Sequence, residues 1–131
     1  MINLIHFMEF KKIAKNSFDF LINRFIELLG FCICIIGFVL LISLISYSPE
    51  DPNFLFTGEK EIKNILGFRG SFVSDIFFQS IGLISILVAI TIFITGINIF
   101  RTKNTIILLE NLFFTVLYSL FGSLFFTFFY S

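Results

Sequence analysis

The stretch Ile76–Phe100, which reads IFFQSIGLISILVAITIFITGINIF, carries no formal charge and lies between Asp75 and Arg101. Because a helix rises about 1.5 Å per residue, a stretch of this length reaches across a hydrocarbon core of roughly 30 Å. It is also too long and too apolar for an ordinary core helix of a soluble protein. The sequence therefore predicts one transmembrane helix over residues 76–100.

One face of this predicted helix combines polar and small residues at helical spacing. Asp75 is followed by Gln79, Gly82, Ala89 and Gly96, at successive intervals of four, three, seven and seven residues. This helical spacing places these four residues on one stripe with Asp75. Small residues allow two helix backbones to approach closely, and a carboxamide is better satisfied by a neighbouring helix than by lipid. We expect these four residues to form the packing centre of a small bundle, with Gln79 as a structural contact in preference to a buried binding site.

The composition points to the same class of protein. The chain has 131 residues, of which 57% are hydrophobic and 14% are charged, whereas a typical soluble domain has about 25% charged residues. Mean hydropathy is +1.01. The formal net charge is zero, so the basic footprint of a nucleic-acid-binding domain is missing. We expect an all-α membrane protein that does not bind nucleic acid directly through this segment.

Two further uncharged runs predict two more spans, over residues 28–46 and 111–131. Gly30 and Gly37 give the first of them a small-residue face of its own. Cys32 and Cys34 lie two residues apart, which on a helix directs them about 200° apart, so they cannot bond to each other or share a metal. Both are interpreted as packing residues.

The remaining segments connect or precede these spans. Residues 1–27 mix apolar and charged residues, which indicates a helix in the membrane interface, with a frayed tail as the alternative. Residues 47–75 form the sizeable loop, where Ile62, Ile65 and Leu66 predict a short amphipathic helix over Glu59–Leu66 that ends at Gly67. Asp75 is placed in the first turn of the next helix, where the helix dipole favours it. Residues 101–110 form a short link.

The positions of lysine and arginine predict the orientation. Six of them lie in the N-terminal segment and the short link, and three lie in the loop of residues 47–75. Because cytoplasmic segments are enriched in Lys and Arg, the N-terminus is predicted to be cytoplasmic and this loop to lie outside. The chain ends at the edge of the third predicted span, so we expect a fragment with a fourth span missing.

The residues that support chemistry are few. No Gly-x-x-x-x-Gly-Lys-Ser/Thr or Gly-x-Gly-x-x-Gly pattern is present, and His6 is the sole histidine. The predicted spans contain no Asp, Glu, Lys, Arg or His, the groups on which proton relays and ion pathways depend. We predict no catalytic, cofactor-binding or metal-binding residue in this chain.

An ordered set of turn residues stands between the first two predicted spans. Ser46-Tyr-Ser-Pro-Glu-Asp-Pro-Asn53 is followed by Asn64-Ile-Leu-Gly67, and then by Gly70, Asp75, Gln79 and Gly82. This pattern resembles the N-terminal membrane domain of FtsK/SpoIIIE-type DNA translocases, and the resemblance covers roughly residues 25 to 131. On that resemblance the family motif is represented here by Asp51, Pro52, Asn64, Gly67, Gly70 and Asp75.

The resemblance implies a four-span domain with both termini cytoplasmic, of which this chain supplies three spans. It implies a membrane anchor that forms a homo-oligomer, contacts other division-site membrane proteins and holds a motor at the bacterial inner membrane of the septum. ATP and Mg²⁺ are expected only for that motor, which acts in cell division and chromosome segregation and is absent from this chain.

Two other functions remain open at this point. One is a small stand-alone membrane subunit that stabilises a larger complex. The other is a transporter or pore fragment, in which Asp75, Gln79, Thr91 and Thr95 would line a water-filled path. The two threonines lie off the main stripe and can bond back to their own helix, which disfavours the pore.

Overall fold

The computed structural model describes residues 2–52 and 61–130, and within these ranges it contains helices and no strand. The four helices are α1 (Ile2–Ile45), α2 (Gly67–Ile81), α3 (Ile84–Thr102) and α4 (Ile106–Tyr130). By length and composition α1, α3 and α4 are able to cross a membrane. The predicted all-α membrane fold is therefore confirmed, although several predicted boundaries differ.

Helix α1 is longer than predicted. Its 44 residues correspond to about 66 Å, roughly twice the thickness of a hydrocarbon core. Within the described residues no turn separates residues 2–27 from the predicted first span, so an interfacial helix that bends into the span is not observed. The physical reason is local, because Ile2–Leu29 contains neither proline nor glycine to interrupt the backbone hydrogen bonds.

Helices α1 and α3 run antiparallel and touch through glycines. A Cβ atom at Gly30 would lie 2.5 Å from the backbone nitrogen of Phe100, and one at Gly37 would lie 2.5 Å from that of Phe93. A Cβ at Gly96 would collide with the Cys34 backbone. Close approach of this kind requires residues without side chains. Ala89, which is fully buried, completes the α1–α3 contact together with Leu40 and Leu44.

The predicted helix over residues 76–100 is interrupted at Gly82, and this prediction was wrong. Gly82 has φ 62° and ψ −143°, a conformation that is essentially restricted to glycine. The serine three residues later stabilises the restart, since Ser85 Oγ donates to the Gly82 carbonyl at 2.7 Å. No atom lies within 4 Å of a Cβ built at Gly82. Gly82 is therefore a helix break and not part of the packing face.

The loop before α2 also differs from the prediction. Glu59 and Lys60 lie outside the described residues, while Glu61–Leu66 is not helical. Gly67 begins a helix instead of ending one, at φ 66°. Side-chain oxygens of Asp51 and Asn64 accept the backbone N–H groups of this segment, which gives the backbone an alternative to helical bonds.

Two smaller corrections concern the later helices. Asp75 lies in the middle of α2 and not in a first turn. The inner link is three residues long, because Lys103 ends α3 in a left-handed conformation and Asn104 Oδ1 accepts the N–H of Ile106 at 2.9 Å. Helix α4 therefore begins five residues before the predicted span, at Ile106.

The break at Gly82 leads to a testable expectation. Gly82→Ala places a Cβ on a backbone that L-residues rarely adopt, so we expect it to lower the free energy of unfolding by about 1–3 kcal/mol. Leu83→Ala is the matched control, because Leu83 is exposed and has an ordinary helical φ of −61°. Denaturant titration in detergent measures both variants, and equal stability of the two would contradict the assigned backbone conformation.

Candidate functional site

Four of the buried polar side chains in the described residues gather where the end of α1 meets the start of α2. We call this cluster the loop junction and define it by Ser43, Asp51, Asn64, Gly70 and Ser71. The four side chains among these residues are at most 4% exposed. The cluster lies at the end of the bundle that carries the loop, beyond the apolar contact of α1 with α3.

Asp51 holds the returning chain by its carboxylate. Its Oδ1 accepts the N–H of Lys63 and its Oδ2 accepts the N–H of Asn64, both at 2.9 Å. The neighbouring Pro52 is buried, and its carbonyl accepts a hydrogen bond from Ser71 Oγ at 3.2 Å. Hydrogen bonds that a carboxylate accepts from backbone N–H groups are among the stronger ones in proteins. The Asp-Pro pair therefore connects the segment that follows α1 with both the later part of the loop and α2.

Asn64 connects the loop with α1. Its Nδ2 donates to the Ser43 carbonyl at 2.9 Å, and its Oδ1 accepts the N–H of Leu66 at 3.1 Å. Ser43 Oγ in turn donates to the Gly70 carbonyl at 2.7 Å. A Cβ at Gly70 would collide with Asn64 Oδ1. Glycine is therefore required at position 70 for α2 to approach the Asn64 side chain.

A second group of side chains joins the end of α1 to the middle of α2. Tyr47 donates its hydroxyl to Asp75 Oδ1 at 3.2 Å, and its ring stacks on Phe78 with centroids 4.5 Å apart. Burial and the neighbouring carboxylate raise the pKa of the Tyr47 phenol, because both disfavour the phenolate. Gln79 is exposed and donates to Asp75 Oδ2 at 2.8 Å within its own helix. The expected role of Gln79 in holding two helices together is therefore not observed.

One ion pair lies on the exposed surface of the loop. Lys63 Nζ is 2.8 Å from Glu50 Oε2, and both side chains are more than 60% exposed. The hydrogen bond to Glu50 raises the pKa of Lys63. An exposed pair of this kind contributes little to stability. The buried Asp51 and the exposed Glu50 thus differ sharply in their expected contributions, although they are adjacent in sequence.

Sequence reasoning missed a polar contact between α3 and α4. Thr91 Oγ1 and Tyr118 OH are 2.9 Å apart, and Asn111 Nδ2 donates to Thr95 Oγ1 at 2.7 Å. Both threonines also bond back to carbonyls of their own helix, as expected. The four-residue spacing of the two threonines was the available signal. Because they face α4 while Asp75 lies on α2, the polar stripe that a pore would require is not continuous.

The Thr91–Tyr118 contact predicts a small interaction energy. Hydrogen bonds between transmembrane helices contribute about 0.6 kcal/mol on average. A double-mutant cycle with Thr91→Val and Tyr118→Phe in detergent is expected to give a coupling of that size. A coupling indistinguishable from zero would contradict a direct hydrogen bond between these hydroxyls.

The arrangement uses its polar atoms for structure. No buried side-chain nitrogen or oxygen in the described residues lacks a hydrogen-bond partner. Within residues 2–52 and 61–130 no three His, Cys, Asp or Glu residues are grouped so as to hold a metal ion. The loop junction therefore fixes the position of the start of α2 relative to the end of α1. An apolar bundle of three long helices, with the loop junction at one end, is the membrane domain of a multi-span protein.

The family of this membrane domain is shown by comparison with known proteins. A family model described as the 4TM region of DNA translocase FtsK/SpoIIIE matches residues 23–131, and the chain belongs to this family. The resemblance inferred from the turn residues of the loop is thereby confirmed. All residues of the loop junction lie inside the matched region.

Several curated relatives are similar over the same part of the chain. The DNA translocase FtsK of Rickettsia typhi is 31% identical over 56% of this chain, which covers 10% of that relative. The DNA translocase FtsK of Azospirillum brasilense is 31% identical over 65% of this chain and 14% of its own length. That of Rickettsia prowazekii is 36% identical over 49% of this chain and 9% of its own length. No solved structure matches the chain.

Proposed function

We propose that this chain is the anchor and oligomerisation domain of a DNA translocase in the bacterial inner membrane, where it directs the motor to the division septum. The family match to the membrane region of FtsK/SpoIIIE carries the proposal. The matched relatives are named DNA translocase FtsK, and the chain spans about a tenth of their length. Cell division and chromosome segregation are the processes in which such a motor would act.

The anchor itself performs no chemistry in this proposal. ATP and Mg²⁺ belong to the motor, and DNA is contacted there and not by the membrane domain. The support is that the similarity to relatives falls in the membrane region, and that the polar residues of the loop junction are engaged in holding the backbone. In this proposal the chain holds the motor at the membrane and brings its copies together.

The proposed orientation places the N-terminus in the cytoplasm and the loop junction on the outer side. Its support is the grouping of charges at one end of the bundle, where Lys103 pairs with Glu27 at 2.9 Å and Arg24 pairs with the same carboxylate. Arg101 lies two residues from that pair. Lys and Arg at membrane ends favour the cytoplasmic side.

The homo-oligomer in this proposal follows from the family resemblance, and α4 offers free surface for the contact. None of its described residues is buried, and large apolar side chains cover most of its surface. The same face is available to other division-site membrane proteins. Counting photobleaching steps of a fluorescent fusion in native-like membranes tests the assembly. More than one step per spot is expected, and single steps throughout would contradict it.

Recruitment to the septum is tested by imaging a fluorescent fusion of this chain in its source cell. We expect a band at the division site. Asp51→Ala is expected to leave the fusion in the membrane but to weaken the band, because the loop then loses its fixed position. Glu50→Gln is the matched control and should keep the band. A uniform membrane signal from the unaltered fusion would overturn the septal proposal.

A further inference from the structure

An apolar groove runs beside α2 on the surface of the bundle. It has a volume of about 590 Å³ and is bounded by side chains of α1, α2 and α3, among them Ile36, Val39, Arg69, Val73, Phe77 and Ile92. A volume of this size falls in the range of small-ligand sites in proteins. Three of these wall residues, Ile36, Val39 and Val73, are more than one third exposed. The groove is therefore open towards the surroundings and not sealed inside the bundle.

The depth of the groove follows from its wall on α1. The lining on α1 runs from Ser43, a member of the loop junction, to Ile35. The eight helical steps between these two residues correspond to about 12 Å. The groove thus starts at the loop end of the bundle and extends into the region that an acyl chain occupies. An occupant that fits it is long, thin and apolar over most of its length.

The one charged side chain of this lining is at the loop end. Arg69 lies in the first turn of α2 and is exposed. No ion pair joins Arg69 to another residue in ranges 2–52 and 61–130, in contrast to Arg24, Lys63 and Lys103. A guanidinium has a planar set of donors that suits a phosphate group. The N-terminal end of α2 adds a favourable dipole for an anion at the same place.

We propose that this groove is a specific site for an anionic phospholipid. One acyl chain lies between α1 and α2, and the headgroup phosphate accepts hydrogen bonds from Arg69. An arginine that forms no ion pair within residues 2–52 and 61–130 lies at the open end of an apolar groove, and this juxtaposition identifies the occupant. A zwitterionic phospholipid fits the apolar part equally well, so net negative charge at the headgroup is what the site selects. The inference does not depend on the proposed role at the septum.

The test uses the purified chain and two lipids that differ in the headgroup. Phosphatidylglycerol and phosphatidylcholine with identical acyl chains are added to the delipidated protein, and bound lipid is counted by native mass spectrometry. We expect phosphatidylglycerol to bind about tenfold more tightly. Arg69→Gln should reduce this preference to within about twofold. Arg101→Gln, which removes an exposed arginine at the other end of the bundle, should leave it unchanged.

A second pair of variants tests the apolar part of the site. Val73→Trp fills the groove and is expected to lower the binding of both lipids at least fivefold, whereas Ile76→Trp, on the same helix but outside the lining, should not. Equal binding of the two lipids by the unaltered protein would overturn the proposal. Loss of preference in Arg69→Gln and Arg101→Gln alike would also overturn it, because that result indicates diffuse attraction. If Val73→Trp fails to fold, the Arg69→Gln comparison decides alone.

Discussion

Gly96→Ala is expected to lower the free energy of unfolding by about 3 kcal/mol, because the new methyl group would overlap the Cys34 backbone on α1. A backbone cannot move aside as a side chain can, so α1 and α3 must separate over several turns. Gly37→Ala is expected to act in the same way against the Phe93 backbone. Denaturant titration in detergent, followed by circular dichroism, measures both changes.

The matched control for this prediction is Gly122→Ala on α4. A Cβ at Gly122 would meet the Cδ1 atom of Ile84, which is the far end of a flexible side chain. Rotation of that side chain relieves the contact, so we expect a loss below about 1 kcal/mol. If Gly96→Ala and Gly122→Ala are equally stable, the close approach of α1 to α3 is not the main packing contact of the bundle.

Asp51→Ala is expected to lower the free energy of unfolding by about 2–4 kcal/mol. The substitution leaves the buried N–H of Asn64 without an acceptor, which costs about 1–3 kcal/mol, and removes the hydrogen bond of the part-buried Lys63 N–H, which is worth about 1 kcal/mol because water can replace it. Limited proteolysis provides a second readout, since the loop between α1 and α2 should become much easier to cleave. Asp51→Asn retains one acceptor oxygen and should be less damaging.

Glu50→Gln is the control for Asp51, because it alters the adjacent carboxylate in an exposed position. Its ion pair with Lys63 is worth at most about 1 kcal/mol. A loss of stability in Glu50→Gln as large as that in Asp51→Ala would mean that charge in the loop matters and that the buried hydrogen bonds do not. The comparison of the two variants therefore separates the effect of the buried hydrogen bonds of Asp51 from the effect of charge in the loop.

The membrane spans and the all-α fold class could be predicted because a long run of apolar residues without charge is a strong signal of a transmembrane helix. Helix ends were harder, because apolar residues on both sides of a break look alike. Gly82 was read as a packing residue because its spacing from Ala89 and Gly96 fits a helical stripe. Only the backbone shows that Gly82 has a positive φ and that open space surrounds the position of a Cβ there.

The loop junction was visible in the sequence only as a set of turn residues. Asp51 and Asn64 are 13 residues apart, and their shared role depends on the loop folding back, which no local periodicity encodes. Ser43 was overlooked because a serine in an apolar helix usually bonds back to its own helix, whereas this one bonds to Gly70 on α2. Arg69 was used only as a positive charge in the orientation count.

The most direct test of the anchor proposal is an immunoblot of membranes from the source cell, probed with an antibody raised to the loop between α1 and α2. If this membrane domain carries a motor, the antibody detects a band several times heavier than the 15.1 kDa of this chain. A single band near 15.1 kDa would contradict the account. The chain would then act as a stand-alone membrane subunit, with its family membership reflecting descent.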